Sequence, residues 1–88
     1  MMFEKNNRMI AIWALDNYGI KAEFLNGETK IYDFKPHLKS PAFKPLQNKE
    51  LFNSVALDRG IPVWQNGEID IAPEVIYCDG ISVSSYLN

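Results

Sequence analysis

The sequence predicts a small α+β protein, in which a three-stranded meander and a second hairpin form an antiparallel sheet that carries two short helices. Short runs of β-branched and aromatic residues alternate with turn signals such as Asn-Gly. Prolines at 36, 41 and 45 exclude a long helix from the middle of the chain. With 88 residues there is room for one domain and one modest core. We place this domain in residues 1–78 and expect residues 79–88 to be a loosely held tail.

The first three predicted strands form the meander. Residues 9–15 are apolar on both faces of an extended chain, which predicts a central strand with Trp13 in the core. Residues 20–24 alternate between apolar and polar, as a half-buried strand does. The Asn-Gly pair that follows most readily forms a two-residue type I′ turn, and residues 29–34 return as the third strand.

The proline-containing segment from residue 35 to residue 47 is predicted to cross over to the second half of the fold. We expect its Phe43 and Leu46 to reach the core. Asn48 is predicted to cap a short helix, because its side-chain oxygen can accept a hydrogen bond from a backbone amide of the first turn.

The second half of the chain is predicted to form another hairpin and a last helix. Residues 55–57 and 61–64 pair around a turn, and Trp64 ends the second strand. A second Asn-Gly pair then turns the chain toward a short helix at residues 72–77, with a proline in its first turn. Asp70 lies just before this helix, where a carboxylate can accept from unpaired amides. We therefore favour a capping role for Asp70 over a catalytic one.

Charge and composition exclude several functional classes. The net charge is −2 and the pI is about 5.2, which argues against sequence-independent binding to nucleic acid. The basic stretch Lys35–Lys49 is predicted to be a solvated surface. No apolar run approaches the roughly 18 residues that a membrane-spanning helix needs. A small-residue cleavage site is also missing, so a signal peptide is not predicted. The single cysteine and single histidine favour a reducing compartment, and we expect a cytoplasmic protein.

Cysteine and histidine usage gives no sign of a metal or cofactor. The single cysteine, Cys78, cannot form an internal disulfide, and we predict that it is buried and inert. One His and one Cys are too few for a structural zinc site. His37 has no patterned nucleophile or second histidine around it, so a catalytic triad is not predicted.

Four residues form the candidate ligand or partner surface: Asp33, Trp64, Asn66 and Asp70. For Asp33 we favour a structural role, accepting hydrogen bonds from the following loop, and for Trp64 a packed position in the core. The sequence shows no nucleophile–base pair, metal set or phosphate-binding loop, so no catalytic residue is assigned. This favours a non-enzymatic module acting through protein contacts. The alternative is a small-ligand-binding protein or an enzyme with a pocket near Asp33, Trp64 and Asp70.

The chain contains the segments FLNGETKIYDF, FKPLQNKELFNSVALDRG and VWQNGEIDIAPEVIY. Together they resemble an uncharacterised bacterial family, the domain of unknown function 2442, and the resemblance extends from about residue 9 to residue 77. It implies a small α+β domain that occurs alone or ahead of a helix-turn-helix DNA-binding domain, in some members beside toxin–antitoxin-like gene pairs. No catalytic residues are implied. One extra residue between Gly67 and Asp70, relative to the usual family spacing, predicts a bulge. The residues at family positions are Phe24, Gly27, Asp33, Phe43, Leu46, Phe52, Trp64, Asn66, Gly67, Asp70, Ile71, Pro73 and Tyr77.

The tail alternates from Ile81 to Tyr86 in a strand-like way. It is either a frayed end or a strand that adds to a neighbouring copy or to a partner. We favour the second interpretation, because Ile81 and Val83 fall on one strand face. A protein partner or a homo-oligomer is therefore expected.

We predict that this chain alone does not bind duplex DNA at physiological salt, because it is acidic and has no recognition helix of adequate length. Fluorescence anisotropy with a labelled duplex checks this prediction. Micromolar or tighter binding would contradict it, and the Lys35–Lys49 stretch would then be the first place to mutate.

Overall fold

The computed structural model describes residues 8–83 and shows two antiparallel sheets with short helices, which confirms the α+β class. Short 3₁₀ segments lie in the connections between the strands and helices, at Asp16–Tyr18, Lys35–Lys39, Pro41–Gln47 and Gln65–Gly67. Within residues 8–83, no helix is long and apolar enough to cross a membrane. The strands are β1 (Met9–Ala14), β2 (Gly19–Phe24), β3 (Thr29–Asp33), β4 (Ala56–Asp58), β5 (Ile61–Trp64), β6 (Ile69–Asp70) and β7 (Ile81–Ser82), and the helices are α1 (Lys49–Asn53) and α2 (Pro73–Asp79).

The first sheet has four strands in the order β1-β2-β3-β7. Its first three strands are the predicted meander. The fourth strand comes from the beginning of the predicted tail, where Ile81 pairs with Ile31 and Ser82 with Lys30. The tail thus begins by adding a strand to its own chain. Residues 84–88, which include Tyr86, lie outside the described residues, and strand addition to another molecule stays a prediction.

The prediction that the first strand is central is wrong, because β1 lies at the edge of its sheet. Trp13 is 43% exposed, so it is not a core residue either. The two-sided apolar pattern has another cause. An irregular register between Met9 and Ala11 leaves Ile10 without a partner. After this point, Trp13 lies on the outer face opposite Lys21, whose ammonium group is 5.1 Å from the ring centroid.

The second sheet has the order β4-β5-β6 and contains the second predicted hairpin. Arg59 and Gly60 have φ values of 53° and 83°, as the two central residues of a type I′ turn require. Pro62 lies in the middle strand, and its carbonyl accepts from the Ile71 amide at 3.2 Å. Since a residue's N–H and C=O lie on the same side of a strand, the missing N–H of Pro62 faces the point just past the end of β6.

The first Asn-Gly turn is not of type I′. Gly27 has a φ of 92°, but Asn26 does not have a positive φ. Phe24 accepts from the Gly27 amide and donates to the Glu28 carbonyl, each at 2.9 Å, which closes a three-residue loop with a glycine bulge. The Asn26 side chain accepts from the Glu28 amide at 3.0 Å, and this local bond stabilises the longer loop.

The core lies between the inner faces of the two sheets and the segment that connects them. Phe34 is at its centre, with ring centroids 5.3 Å from Phe43, 5.4 Å from Phe52 and 5.4 Å from Trp64. The Trp64 indole N–H donates to the Phe52 carbonyl at 2.9 Å. The predicted packing of Trp64 is confirmed, as is that of Phe43 and Leu46. The buried hydrophobic residues of the core are Met9, Ile20, Ala22, Phe24, Tyr32, Phe34, Leu46, Phe52, Trp64, Ile69, Ile71 and Ile76.

The two predicted caps have opposite outcomes. The side chain of Asn48 accepts from the Leu51 amide at 3.2 Å, which confirms the cap of α1. The N-cap of α2 is Ala72, which makes no side-chain capping bond, so the prediction that Asp70 caps this helix is wrong. Asp70 lies in β6 and pairs with Val63 of β5. This pairing places the side chain of Asp70 on the exposed outer face of the sheet. Pro73 at the start of α2 has no N–H that would need a cap.

The end of α2 packs tightly against β3. Ile76 is fully buried, and Cys78, two residues later and about 200° around the helix, is exposed. The prediction of a buried thiol is therefore wrong. A Cβ atom at Gly80 would lie 2.5 Å from the Ile76 carbonyl oxygen and 3.0 Å from the Cβ of Lys30. Only glycine fits between the helix end and the strand at this position.

We predict that Asn48→Ala lowers the free energy of unfolding by about 0.5–2 kcal/mol, because α1 loses its side-chain cap. Asp70→Ala serves as the matched control and should change it by less than about 0.5 kcal/mol, since its side chain is exposed and caps nothing. Urea unfolding of both variants measures the difference. A loss for Asp70→Ala as large as that for Asn48→Ala would contradict this account.

Candidate functional site

A surface groove with a volume of about 540 Å³ lies beside the turn that follows β5. Two of the four predicted surface residues, Trp64 and Asn66, line it together. The other lining residues come from the end of α1, from β4 and β5, and from the turn itself: Leu51, Ser54, Ala56, Asp58, Val63, Gln65 and Gly67.

The turn at the edge of the groove has a left-handed backbone. Gln65, Asn66 and Gly67 have φ values of 52°, 57° and 93° in succession. The Gln65 carbonyl accepts from the Glu68 amide at 3.1 Å, so Asn66 and Gly67 are the central residues of a type I′ turn. The pairing of Trp64 with Ile69 is regular, so the extra residue of this segment lies in the loop and not in the predicted bulge.

This backbone is unfavourable for Gln65, because a left-handed conformation costs a residue with a Cβ atom roughly 1–2 kcal/mol. Strained residues of this kind are often found at binding sites. The turn holds the side chains of Gln65 and Asn66 at the surface. Neither amide makes a hydrogen bond to any of residues 8–83, so both can bind a ligand.

The floor of the groove is apolar. Val63 pairs with Ala56 across the sheet, and Leu51 contributes from α1. Trp64 is only 1% exposed, and its indole N–H is already bonded to a backbone carbonyl. The ring therefore supports the floor and offers no open face for stacking on a base or sugar. The Ser54 hydroxyl also has an internal partner, the Leu51 carbonyl at 2.6 Å.

The rim of the groove is acidic. Asp58 lines it, and its cationic neighbour Arg59 lies 3.9 Å away with a side chain that is 92% exposed. A pair this exposed and distant contributes little attraction. Asp70 does not line the groove, but it lies opposite Val63 on the same outer face of the sheet. Glu68 is exposed in the adjacent turn.

Asp33 lies on the other sheet, where β3 ends. Its carboxylate accepts from the Lys35 amide at 3.0 Å and lies 3.1 Å from the Lys35 ammonium group. The backbone hydrogen bond from Lys35 is the main cause that lowers the pKa of Asp33. The predicted loop-binding role of Asp33 is confirmed. Of the four predicted surface residues, the structure brings together Trp64 and Asn66, places Asp70 beside them, and leaves Asp33 apart.

The sequence did not reveal a polar cluster that joins α2 to the first sheet. The Tyr77 hydroxyl donates to the Glu28 carboxylate and accepts from the Asn26 amide at 3.0 Å, while Lys30 lies 3.4 Å from Glu28. The hydrogen bond from Tyr77 is the main cause that lowers the pKa of Glu28, and the same bond raises the pKa of Tyr77. Tyr77 lies at a family position, but no local sequence pattern pairs it with Glu28 or Asn26. Since these groups bind one another, the cluster stabilises the fold.

A second polar pair, Tyr32 and His37, lies between β3 and the crossover. The Tyr32 oxygen is 2.5 Å from Nε2 of His37, whose ring also packs against Phe34 and Phe43. Burial is the main cause that raises the pKa of Tyr32, so the phenol stays protonated at neutral pH. Among residues 8–83, no group of three or more His, Cys, Asp or Glu side chains is arranged to hold a metal ion.

A comparison of the sequence with known protein families finds one that covers most of the chain. The family described as "Protein of unknown function (DUF2442)" matches residues 9–81, and the chain belongs to it. This confirms the resemblance carried by the three segments. No curated protein matches the chain, and no solved structure does.

We predict that Tyr77→Phe weakens the dependence of stability on acid pH. The lowered pKa of Glu28 means that its contribution is present above its ordinary pKa of 4.5 and is lost as the pH falls through the folded-state value. The phenylalanine variant lacks the main cause of that shift. Urea midpoints at about pH 7 and about pH 3 measure the effect, and the midpoint should fall less in the variant than in the native chain.

Tyr18→Phe is the matched control for this measurement, because the Tyr18 hydroxyl donates to a backbone carbonyl, that of Gln47, at 2.6 Å. It should lower the midpoint equally at both pH values. An acid-dependent loss in Tyr77→Phe equal to that of the native chain would show that this hydrogen bond does not set the pKa of Glu28.

Proposed function

We propose that this protein is a non-enzymatic binding module whose groove takes an extended segment of a partner protein. The observation that carries the proposal is the pair of exposed side-chain amides, Gln65 and Asn66, at the edge of an apolar floor. A side-chain amide offers both a donor and an acceptor, as does each peptide group of an extended chain. The floor supplied by Val63, Ala56 and Leu51 suits the apolar side chains of such a segment.

The charge of the rim indicates the chemistry of the segment. Of the described residues that line the groove, Asp58 is the one that carries a charge, and Asp70 and Glu68 lie beside the groove. Complementary charge raises both the rate and the specificity of association. We therefore favour a segment that carries lysine or arginine at its ends and apolar residues in its middle.

Catalysis has less support, because two pairs of polar side chains that could take part in acid–base chemistry are bound to each other within the described part of the chain. Glu28 binds Tyr77, and His37 binds Tyr32 within an aromatic cluster. Neither pair includes a residue of the groove. We also propose a regulatory setting, either toxin–antitoxin-like or transcriptional, which the family resemblance supports. The proposed location is the cytoplasm, because a chain with a single cysteine is typical of a reducing compartment.

A small ligand is the second candidate for the same groove. Its volume of about 540 Å³ falls within the range of roughly 300–1,000 Å³ that is common for small-molecule sites. Native mass spectrometry of the buffer-exchanged protein distinguishes the two candidates. A bound small molecule in equal stoichiometry would favour the second candidate, provided that Asn66→Gly releases it.

We predict that fluorescein-labelled octapeptides with basic ends and an apolar middle bind more tightly than their acidic counterparts. The double variant Gln65→Gly/Asn66→Gly should lose about tenfold in affinity for the basic pool, since each hydrogen bond contributes about 0.5–1.5 kcal/mol. Glycine accepts the left-handed backbone without strain, so the variant should remain folded. Fluorescence anisotropy measures the affinity, and urea unfolding measures the stability.

The control for the peptide measurement is Asn17→Gly, which replaces a residue with a comparable φ of 62° in a turn of the other sheet. It should leave peptide affinity unchanged. Equal binding of the basic and acidic pools, or an unchanged affinity in the double variant, would refute the proposed site.

A further inference from the structure

The outer face of the four-stranded sheet carries a row of large side chains that crosses all four strands. The register places Trp13 opposite Lys21, Lys21 opposite Ile31, and Ile31 opposite Ile81. Residues directly opposite one another in neighbouring strands lie on the same face. We call this set the large row.

The two ends of the large row are apolar and exposed, and its middle residues, Lys21 and Ile31, are half-buried. Trp13 is 43% exposed and Ile81 63% exposed. The inner face of the same strands is the core, with Ile20 and Ala22 fully buried. Exposed large apolar side chains aligned on one side of a sheet indicate an interaction surface.

A second row of smaller side chains lies next to the large row on the same face. Ala11 is opposite Glu23, and Glu23 is opposite Thr29. Glu23 has no ion-pair partner among residues 8–83. We call this set the small row. The two rows are two residues apart along each strand, which is about 7 Å.

We propose that this outer face is the interface between two copies of this chain. A two-fold axis that runs across the strands, midway between the rows, places the large row of one copy over the small row of the other. Trp13 then lies over Ala11 of the second copy, and Ile31 over Thr29. Lys21 faces Glu23 of the second copy, and the reverse pair forms by symmetry. An isologous contact requires this self-complementarity of shape and charge.

The size of the face sets the strength of the dimer. Four strands of up to six residues give a flat outline of about 400 Å². This is about half of the 800 Å² per partner that is usual for a stable complex. The dimer therefore exchanges with monomers in solution. The groove lies on the other sheet, so this inference does not depend on the proposed function.

Sedimentation equilibrium of the full chain, from micromolar to millimolar concentration, tests the proposal. The native chain should show a monomer–dimer equilibrium. Lys21→Glu and Glu23→Lys should each weaken dimerisation by at least about tenfold, because each variant brings like charges together. The double variant Lys21→Glu/Glu23→Lys should dimerise as the native chain does, because the swap restores both opposite-charge pairs.

Mixing the two single variants in equal amounts should give a heterodimer, which also shows that each variant is folded. Ile61→Ser is the control, since Ile61 is an exposed apolar residue of the other sheet, and it should leave the equilibrium unchanged. A native chain that stays monomeric throughout would overturn the proposal. So would a double variant as weak as the single ones, because a face that binds a different protein gives no rescue.

Discussion

The two halves of this fold depend on the contact between Trp64 and Phe52. The indole N–H of Trp64, at the end of β5, donates to the carbonyl of Phe52 in α1. Both rings also pack against Phe34, which follows β3. One side chain thus fixes the second sheet to the helix and to the first sheet. A buried indole N–H without a partner would be costly, so the position of α1 is set by hydrogen bonding as well as by packing.

The same contact lies next to the groove. Trp64 ends β5 with its side chain in the core, and the chain reverses direction immediately after it through three successive left-handed residues. The strain at Gln65 is sustained by the packed tryptophan that precedes it and by the pairing of Ile69 that follows. The exposed amides are therefore held by the core of the protein and not by a flexible loop.

Local patterns predicted local structure well. Strand-like patterns of apolar residues between turn signals predicted the meander and the second hairpin. The cap at Asn48 was predicted from the residue type and from the helix that follows it. The patterns failed where distant partners decided the outcome. Asp70 resembles a cap in sequence, but its pairing with Val63 turns its side chain away from α2. Trp13 resembles a core residue, but an irregularity near Ile10 places it outside.

The candidate site shows the same limit. Trp64 and Asn66 are two residues apart in the sequence and line the groove together, whereas the wall formed by Leu51 and Asp58 depends on how α1 and β4 pack. The Glu28–Tyr77 hydrogen bond joins residues that are 49 positions apart, and no local pattern indicates it.

The fourth strand of the first sheet depends on the absence of a side chain at Gly80. The Cα of Gly80 lies so close to the Ile76 carbonyl and to Lys30 that any side chain would push α2 away from β3. Since β7 begins at the next residue, Ile81 would be displaced with it. A side chain at residue 80 that displaced β7 would leave a three-stranded sheet, and its outer face would lack the exposed apolar side chain of Ile81.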